Sequence, residues 1–249
     1  MEKKSCVITG RSGFIGSALN KRLLSMGWET HEELRPDADY VFLFGSPSSN
    51  NWFNHALSYS VRETIENFIS VAEFCGKHHI KLIYPSSGTV YQGDTAYSKT
   101  KKILEILSEI YDIDALGLRI FAGYGPGEGH KKGYSSVVYE FTKEMMAGRS
   151  PVIWGSGEQV RDFVYIDDII DNIIEMKDKS GVVDIGSGLG IPIKHLVMVI
   201  NRVLDTYIKP EFVRKPEKYI EYSVSNNPCQ RKTSLIEGIK RIINETTLE

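Results

Sequence analysis

Cysteine is scarce in this chain: Cys6, Cys75 and Cys229 are the only three in 249 residues, and they lie far apart. An odd, scattered set supports neither a disulfide framework nor a clustered metal site, so no metal is expected. Excess charge of one sign is also lacking, since 30 Lys and Arg stand against 32 Asp and Glu for a net of −2. A sequence-independent grip on nucleic acid or on an anionic membrane needs a basic surplus, so neither partner is expected. No apolar run approaches the roughly 18 residues of a membrane span. The apolar stretch after Lys3-Lys4 stops at Gly10-Arg11, too soon for a signal peptide. Internal repeats, low-complexity tracts and Pro/Ser-rich linkers are absent as well. What is present is the make-up of a folded domain: 41% hydrophobic residues, 25% charged residues and 22 glycines. A chain of this size buries a large core without staples. The expectation is a cytoplasmic, enzymatic α/β protein.

Short apolar runs alternate with amphipathic stretches through the first half. Strands are expected at 5–9, 40–44, 80–84 and 115–120, with helices at 14–26, 53–77 and 97–111 between them. Such alternation implies a parallel sheet covered on both faces. Residues 121–133 are rich in glycine (Gly123, Gly125, Gly127, Gly129, Gly133) and are expected to form an irregular loop beside a site. Helices at 134–148, 167–177, 192–206 and 233–245 and strands at 151–154 and 182–185 follow. The fold class expected is a Rossmann-like, doubly wound parallel sheet with a small C-terminal α/β part. Residues 1–122, with returning segments from about 160–186, make the dinucleotide-binding core; 123–160 and 187–249 make the substrate-binding part.

The strongest local signal is Gly10-Arg11-Ser12-Gly13-Phe14-Ile15-Gly16, which joins the first strand to the first helix. Gly10 permits a tight turn, Gly13 lets a pyrophosphate approach the backbone, and Gly16 lets helix and strand pack closely. The helix N-terminus then offers free N–H groups and a positive dipole end. Gly186, Gly188 and Gly190 show that glycines also cluster elsewhere, so position decides in favour of the first set. A second signal is Tyr97-Ser-Lys-Thr-Lys101. Residues i and i+4 share a helix face, and a neighbouring ammonium lowers a phenol's pKa toward that of a usable base. Among 13 tyrosines a chance pair is expected, and Tyr139 with Lys143 is one; it reads as an exposed helix with a solvated lysine. What favours Tyr97 is Ser86-Ser87-Gly-Thr89-Val-Tyr91 at the end of a strand, where open α/β sheets place their ligands.

Together these residues resemble the extended short-chain dehydrogenase/reductase family, in its nucleotide-sugar epimerase/dehydratase branch. The resemblance also runs through Leu118-Arg-Ile-Phe-Ala-Gly-Tyr-Gly-Pro-Gly127 and through the block from Trp154 to Asp168, which contains Arg161-Asp-Phe-Val-Tyr-Ile-Asp-Asp168. It implies a bound NAD and a nucleoside-diphosphate sugar as substrate. It makes Tyr97 the base, Lys101 its pKa-lowering and ribose-binding partner, and Ser87, with Thr89, a ligand of the substrate oxygen. Arg161 falls where the family contacts the diphosphate, and Arg214 is a second candidate. Gly10 to Gly16, Phe44 and Gly45 line the expected cofactor site. Dimerisation through the helices at 53–77 and 97–111 is the family's habit.

The chain departs from that pattern in several places. Only about a dozen residues separate Gly27 from Tyr40, leaving a degenerate second strand with no clear Asp at its end for the adenosine ribose. Arg35 there suits a 2′-phosphate, which keeps NADP open beside NAD. Gly88-Thr89 stands where dehydratases of the family carry an Asp-Glu pair, so dehydration lacks its acid and base. Ala122 and Ser60 replace two asparagines frequent in the family. The leading expectation is epimerisation by transient oxidation of a sugar hydroxyl. The alternatives are a net NAD(P)H-dependent reductase or dehydrogenase of a nucleotide sugar, or an inactive dinucleotide-binding sensor.

Overall fold

The computed structural model describes residues 4–131 and 133–248. Twelve strands and eight helices are described, and they fall into two compact units. The first comprises Met1–Ile120 with Ile170–Val183, the second Phe121–Ile169 with Asp184–Glu249.

The first unit is built on six strands: β1 (Ser5–Thr9), β2 (Glu29–His31), β3 (Tyr40–Leu43), β4 (Lys81–Ser87), β5 (Ala115–Ile120) and β9 (Gly181–Ile185). Their order is β2-β1-β3-β4-β5-β9, and the pairings from β2 through β5 are parallel. The order reverses between β1 and β3, and the carboxyl ends flanking that switch point carry Gly10 and Phe44-Gly45. Helices α1 (Phe14–Ser25), α2 (Asn50–His55), α3 (Leu57–His78) and α4 (Ala96–Ile110) connect the strands. Helix α3 presents Phe68, Val71, Ala72 and Cys75 to the core at helical spacing, where they meet Val41, Leu43, Leu82 and Tyr84.

The expected helix at 53–77 is two helices. Ala56 leaves helical geometry (φ −140°, ψ 57°) with neither Gly nor Pro to mark the break. Strand β4 runs three residues beyond the expected end at 84, so Pro85, Ser86 and Ser87 pair with β5 instead of forming a turn. Part of the apolar side expected for α4 faces outward: Ile103, Ile106 and Ile110 are exposed, the last at 70%.

In the second unit, β6 (Ala122–Tyr124) replaces the start of the irregular loop expected at 121–133. Helix α5 (Val137–Met146) and strand β7 (Val152–Trp154) follow, then β8 (Val160–Tyr165), β10 (Gly190–Pro192), α7 (Ile193–Leu204), β11 (Glu211–Val213), β12 (Tyr222–Ser223) and α8 (Leu235–Leu248), while α6 (Ile166–Met176) begins in this unit and ends in the first. Strand β8 pairs with β6, β10 and β12, and β7 pairs with β11. Because β8 joins this second sheet, the chain returns to the first unit at Ile170 and not near 160. Strands β8, β10, β11 and β12 were not expected: the last three have only two or three residues, too few to show a period, and the six residues of β8 run straight into α6 at Ile166 with no turn residue between them.

Candidate active site

Close backbone contact explains two of the three loop glycines. Gly10 sits at φ +71°, and a Cβ on it would fall 2.6 Å from the Gly45 Cα. A Cβ on Gly16 would drive into the Gly10 carbonyl. The glycine turn is thus packed against the segment just past β3, where Phe44 N–H donates to the Thr9 carbonyl at 3.1 Å and Gly45 N–H to Thr9 Oγ1 at 3.3 Å. Asn67 Nδ2 donates to the Gly45 carbonyl at 2.8 Å and fixes the far side. Gly13 differs: a Cβ there would meet only the Gly10 carbonyl, at 3.2 Å. Interior packing therefore gives a weaker reason for glycine at 13 than at 10 or 16. Gly13 caps α1 without a side chain, and no acidic residue occupies the first turn. That cradle fits the pyrophosphate of a dinucleotide. Ser12 is exposed at its mouth, with Ile15 half-buried behind it.

The degenerate second strand is real but short, β2 aligning Ser5 with Glu29 and Val7 with His31. Glu32 directly follows its end and pairs with Arg11 of the glycine loop at 2.9 Å. Glu32 lies 22 residues past Gly10, near the spacing at which dinucleotide folds hold an acid for the ribose hydroxyls. That spacing is its one signal in the sequence, and the lack of an Asp at the strand end conceals it. Arg35 is turned elsewhere, its Nε and Nη2 donating to the two Asp37 carboxylate oxygens at 2.9 and 2.7 Å. A guanidinium already neutralised in this way is a poor 2′-phosphate ligand.

Ser87, Tyr97 and Lys101 come together as expected. Ser87 ends β4 and caps a 3-10 turn over Gly88–Tyr91, its hydroxyl accepting from Thr89 N–H and lying 3.0 Å from Thr89 Oγ1. Thr95 caps α4, so Tyr97 enters in the first turn with Lys101 one turn on. The Lys101 ammonium lies 5.7 Å from the Tyr97 ring centre, and Phe53 packs edge-on to that ring at 5.3 Å. Lys101 is 1% exposed, no carboxylate among the described residues pairs with it, and burial pushes its pKa down to about 8. A buried ammonium without an anion is costly unless a ligand supplies acceptors, so the site fits a group with hydroxyls such as a ribose. The expected lowering of the Tyr97 pKa is not what the protein's own groups produce. Burial raises it, and a hydrogen bond with Ser87 pulls it part of the way back. Tyr139, the other pairing, is buried rather than exposed; Lys143 lies over its ring at 5.5 Å.

In the second unit, Arg161 donates from Nη1 to the Val160 carbonyl at 2.8 Å and from Nη2 to the Ile220 carbonyl at 2.6 Å. Its guanidinium stacks 5.4 Å from the Tyr219 ring centre, and burial holds its pKa below the usual guanidinium value. Arg214 follows β11 and is exposed. The glycine cluster at 186–190 is a structural turn: the Asp162 carboxylate accepts from Ser187 N–H and Gly188 N–H, each at 2.9 Å.

A glycine cradle at a switch point and a buried Tyr/Lys/Ser set define a dinucleotide-dependent α/β enzyme. The profile of the NAD dependent epimerase/dehydratase family matches residues 31–186, more than half of the chain. The chain belongs to that family, an extended short-chain dehydrogenase/reductase whose cofactor is NAD. A Methanocaldococcus jannaschii protein, provisionally named a UDP-glucose 4-epimerase, is 23% identical over 296 residues, covering 96% of this chain and 97% of its own. The crystal structure of UDP-glucose 4-epimerase with UDP-glucose from Thermotoga maritima superposes with TM-score 0.89 at 22% identity, over 98% of this chain and 100% of that one. UDP-N-acetylglucosamine 4-epimerase from Methanobrevibacter ruminantium gives TM-score 0.86 at 24% identity, over 98% and 100%. Among the described residues, no helix is long and apolar enough to cross a membrane.

Proposed function

We propose that this protein epimerises a nucleoside-diphosphate sugar by transient oxidation of one of its hydroxyls. The observation that carries the reading is the buried Tyr97–Lys101 pair facing Ser87 at the carboxyl end of β4. NAD, when bound, supplies a hydride acceptor that becomes the donor for the return step. The backbone from Gly10 to Gly16 holds its pyrophosphate, Glu32 its adenosine ribose and Lys101 its other ribose. The Ser87 hydroxyl donates to the substrate oxygen, and Tyr97 Oη takes that oxygen's proton and later returns it. Lys101 lowers the cost of the phenolate that must be present before this proton is taken, because that oxyanion lies beside a buried ammonium. Thr89 is bonded to Ser87 and offers no carboxylate, which supports epimerisation over dehydration.

Arg161 is assigned to the substrate diphosphate, since it is a buried guanidinium bonded to carbonyls and stacked on an aromatic ring, with no carboxylate partner among the described residues; Arg214 is its exposed second. The UDP-sugar 4-epimerases that share the fold support a nucleotide sugar as substrate. The outward apolar row Ile103, Ile106 and Ile110 supports a homodimer through α4, which sedimentation of an Ile106→Glu variant tests. For the activity, the purified protein is incubated with UDP-, dTDP-, GDP- and CDP-hexoses while absorbance at 340 nm is followed and the sugars are separated. Interconversion of epimers without net NADH supports the proposal. Stoichiometric NADH production or consumption makes the protein a reductase, and bound NAD without turnover makes it a sensor.

A further inference from the structure

Four hydrogen bonds converge on one carboxylate behind the Ser87 turn. Glu105 lies on α4, one turn beyond Lys101, and is 1% exposed. Its Oε1 accepts from Ser86 Oγ at 2.6 Å and from Arg119 Nε at 2.8 Å. Its Oε2 accepts from Arg119 Nη2 and from Lys102 Nζ, each at 2.8 Å. Arg119, on β5, donates its remaining nitrogen, Nη1, to the Tyr91 hydroxyl at 2.7 Å, with the guanidinium carbon 4.7 Å from that ring's centre. Ser86 directly precedes Ser87, and Tyr91 ends the 3-10 turn that Ser87 caps. The segment bearing Ser87 and Thr89 is therefore held at both ends by one ion pair. The carboxylate of that pair is rooted in the helix that carries Tyr97 and Lys101.

We propose that Glu105 and Arg119 are positioning residues that set where the Ser87 hydroxyl meets the Tyr97 phenol, with Tyr91 as the outer stop of the clamp. The assignment rests on the catalytic reading of Ser87 and Tyr97 given above. Glu105 is not itself a proton carrier, because both its oxygens are engaged. Burial pushes its carboxyl up, but the bonds from Arg119, Lys102 and Ser86 together hold it below its ordinary value. Stability alone gives little reason for such a pair, since a buried ion pair often only matches apolar packing of the same volume. A two-pronged guanidinium fork fixes direction as well as distance, which packing does not. Direction matters here because a misplacement of about 1 Å in a catalytic constellation can cost about 10²-fold in rate.

The test is a kinetic cycle on the full-length enzyme, with whichever nucleotide hexose of the panel the wild type turns over. Ser87→Ala, Glu105→Gln and the double variant are compared in kcat, KM and pH profile. Glu105→Gln is expected to lower kcat about 10- to 100-fold with KM within about threefold. It should also move the rising limb of kcat to higher pH, because the Ser87 bond that pulls the Tyr97 phenol down is loosened. The double variant should stay within about threefold of Ser87→Ala, since a residue that works through Ser87 has nothing left to do without it. Losses that multiply, or a pH limb that does not move, overturn the clamp. If Glu105→Gln does not fold, Tyr91→Phe replaces it; that variant removes one hydroxyl at a half-exposed ring and must lower kcat, and wild-type kcat overturns the clamp. Tyr97→Phe separates the two levels. Full activity there, or no turnover of any sugar by the wild type, brings down the catalytic reading and the clamp with it. An inactive Tyr97→Phe beside a wild-type-like Glu105→Gln brings down only the clamp.

Discussion

Replacing Lys101 by Met should make the NAD-free protein more stable and the enzyme nearly inactive. Lys101 is buried on the inner face of α4, where burial takes its pKa from 10.5 to about 8. A tenfold change in proton affinity is worth about 1.4 kcal/mol, so keeping this side chain protonated at pH 7 costs the fold about 3 kcal/mol. Methionine fills a similar volume without a charge. What it gives up is the ammonium's contact with the Tyr97 ring at 5.7 Å, about 1 kcal/mol. The net gain is therefore about 2 kcal/mol at pH 7. Its pH dependence follows from linkage. Below pH 8 the folded and unfolded chains both carry the proton, and the cost is complete. Between pH 8 and 10.5 only the unfolded chain holds it, so wild-type stability rises with pH; above 10.5 the cost has gone. Urea melts of NAD-free wild type and Lys101→Met should show the variant ahead at neutral pH, with the gap closing as the solution becomes strongly alkaline. Turnover should fall by at least about 10²-fold and its pH optimum move upward, because the phenol loses its cation. A variant less stable than wild type at pH 7, or a gap that ignores pH, would refute the view of Lys101 as a buried charge that only a ligand satisfies.

Gly13→Val should abolish NAD binding by calorimetry while leaving the circular-dichroism spectrum intact, because a Cβ there would approach the Gly10 carbonyl no closer than 3.2 Å; unchanged affinity would place the cofactor elsewhere. Glu32→Ala should weaken NAD by roughly tenfold or more, the worth of one hydrogen bond to a charged group. Arg35→Ala should change NAD affinity by less than about twofold, its guanidinium being spent on Asp37; the reverse ranking would restore Arg35 as the adenosine ligand. Tyr97→Phe should cost about 10²–10⁴-fold in kcat at unchanged NAD affinity. Tyr139→Phe should stay within a few-fold of wild type, and comparable losses from the two would mean the base lies elsewhere.

Local chemistry made the candidate catalytic residues legible from residue types alone. A glycine loop between a β-branched strand and an amphipathic helix points to a phosphate cradle, because such a cradle needs only the backbone and the helix terminus. Tyr97 and Lys101 needed only the pitch of one helix to meet. The strands of the first sheet were readable because both faces are covered, and buried runs such as Cys6-Val7-Ile8 stand out. Other features depend on residues distant in sequence. Glu32 becomes a ribose candidate only once β2 lies against β1 and brings it to Arg11. The break at Ala56 and the two- and three-residue strands β6, β10, β11 and β12 leave no periodic trace. The Glu105 cluster draws Ser86, Tyr91, Lys102 and Arg119 from β4, a turn, α4 and β5, and no spacing rule joins them. The direction of the Tyr97 pKa followed the same division. Sequence showed the neighbouring cation, which lowers a phenol's pKa, but burial is a property of the folded interior, and there desolvation raises the phenol while the Ser87 hydrogen bond pulls it part of the way back.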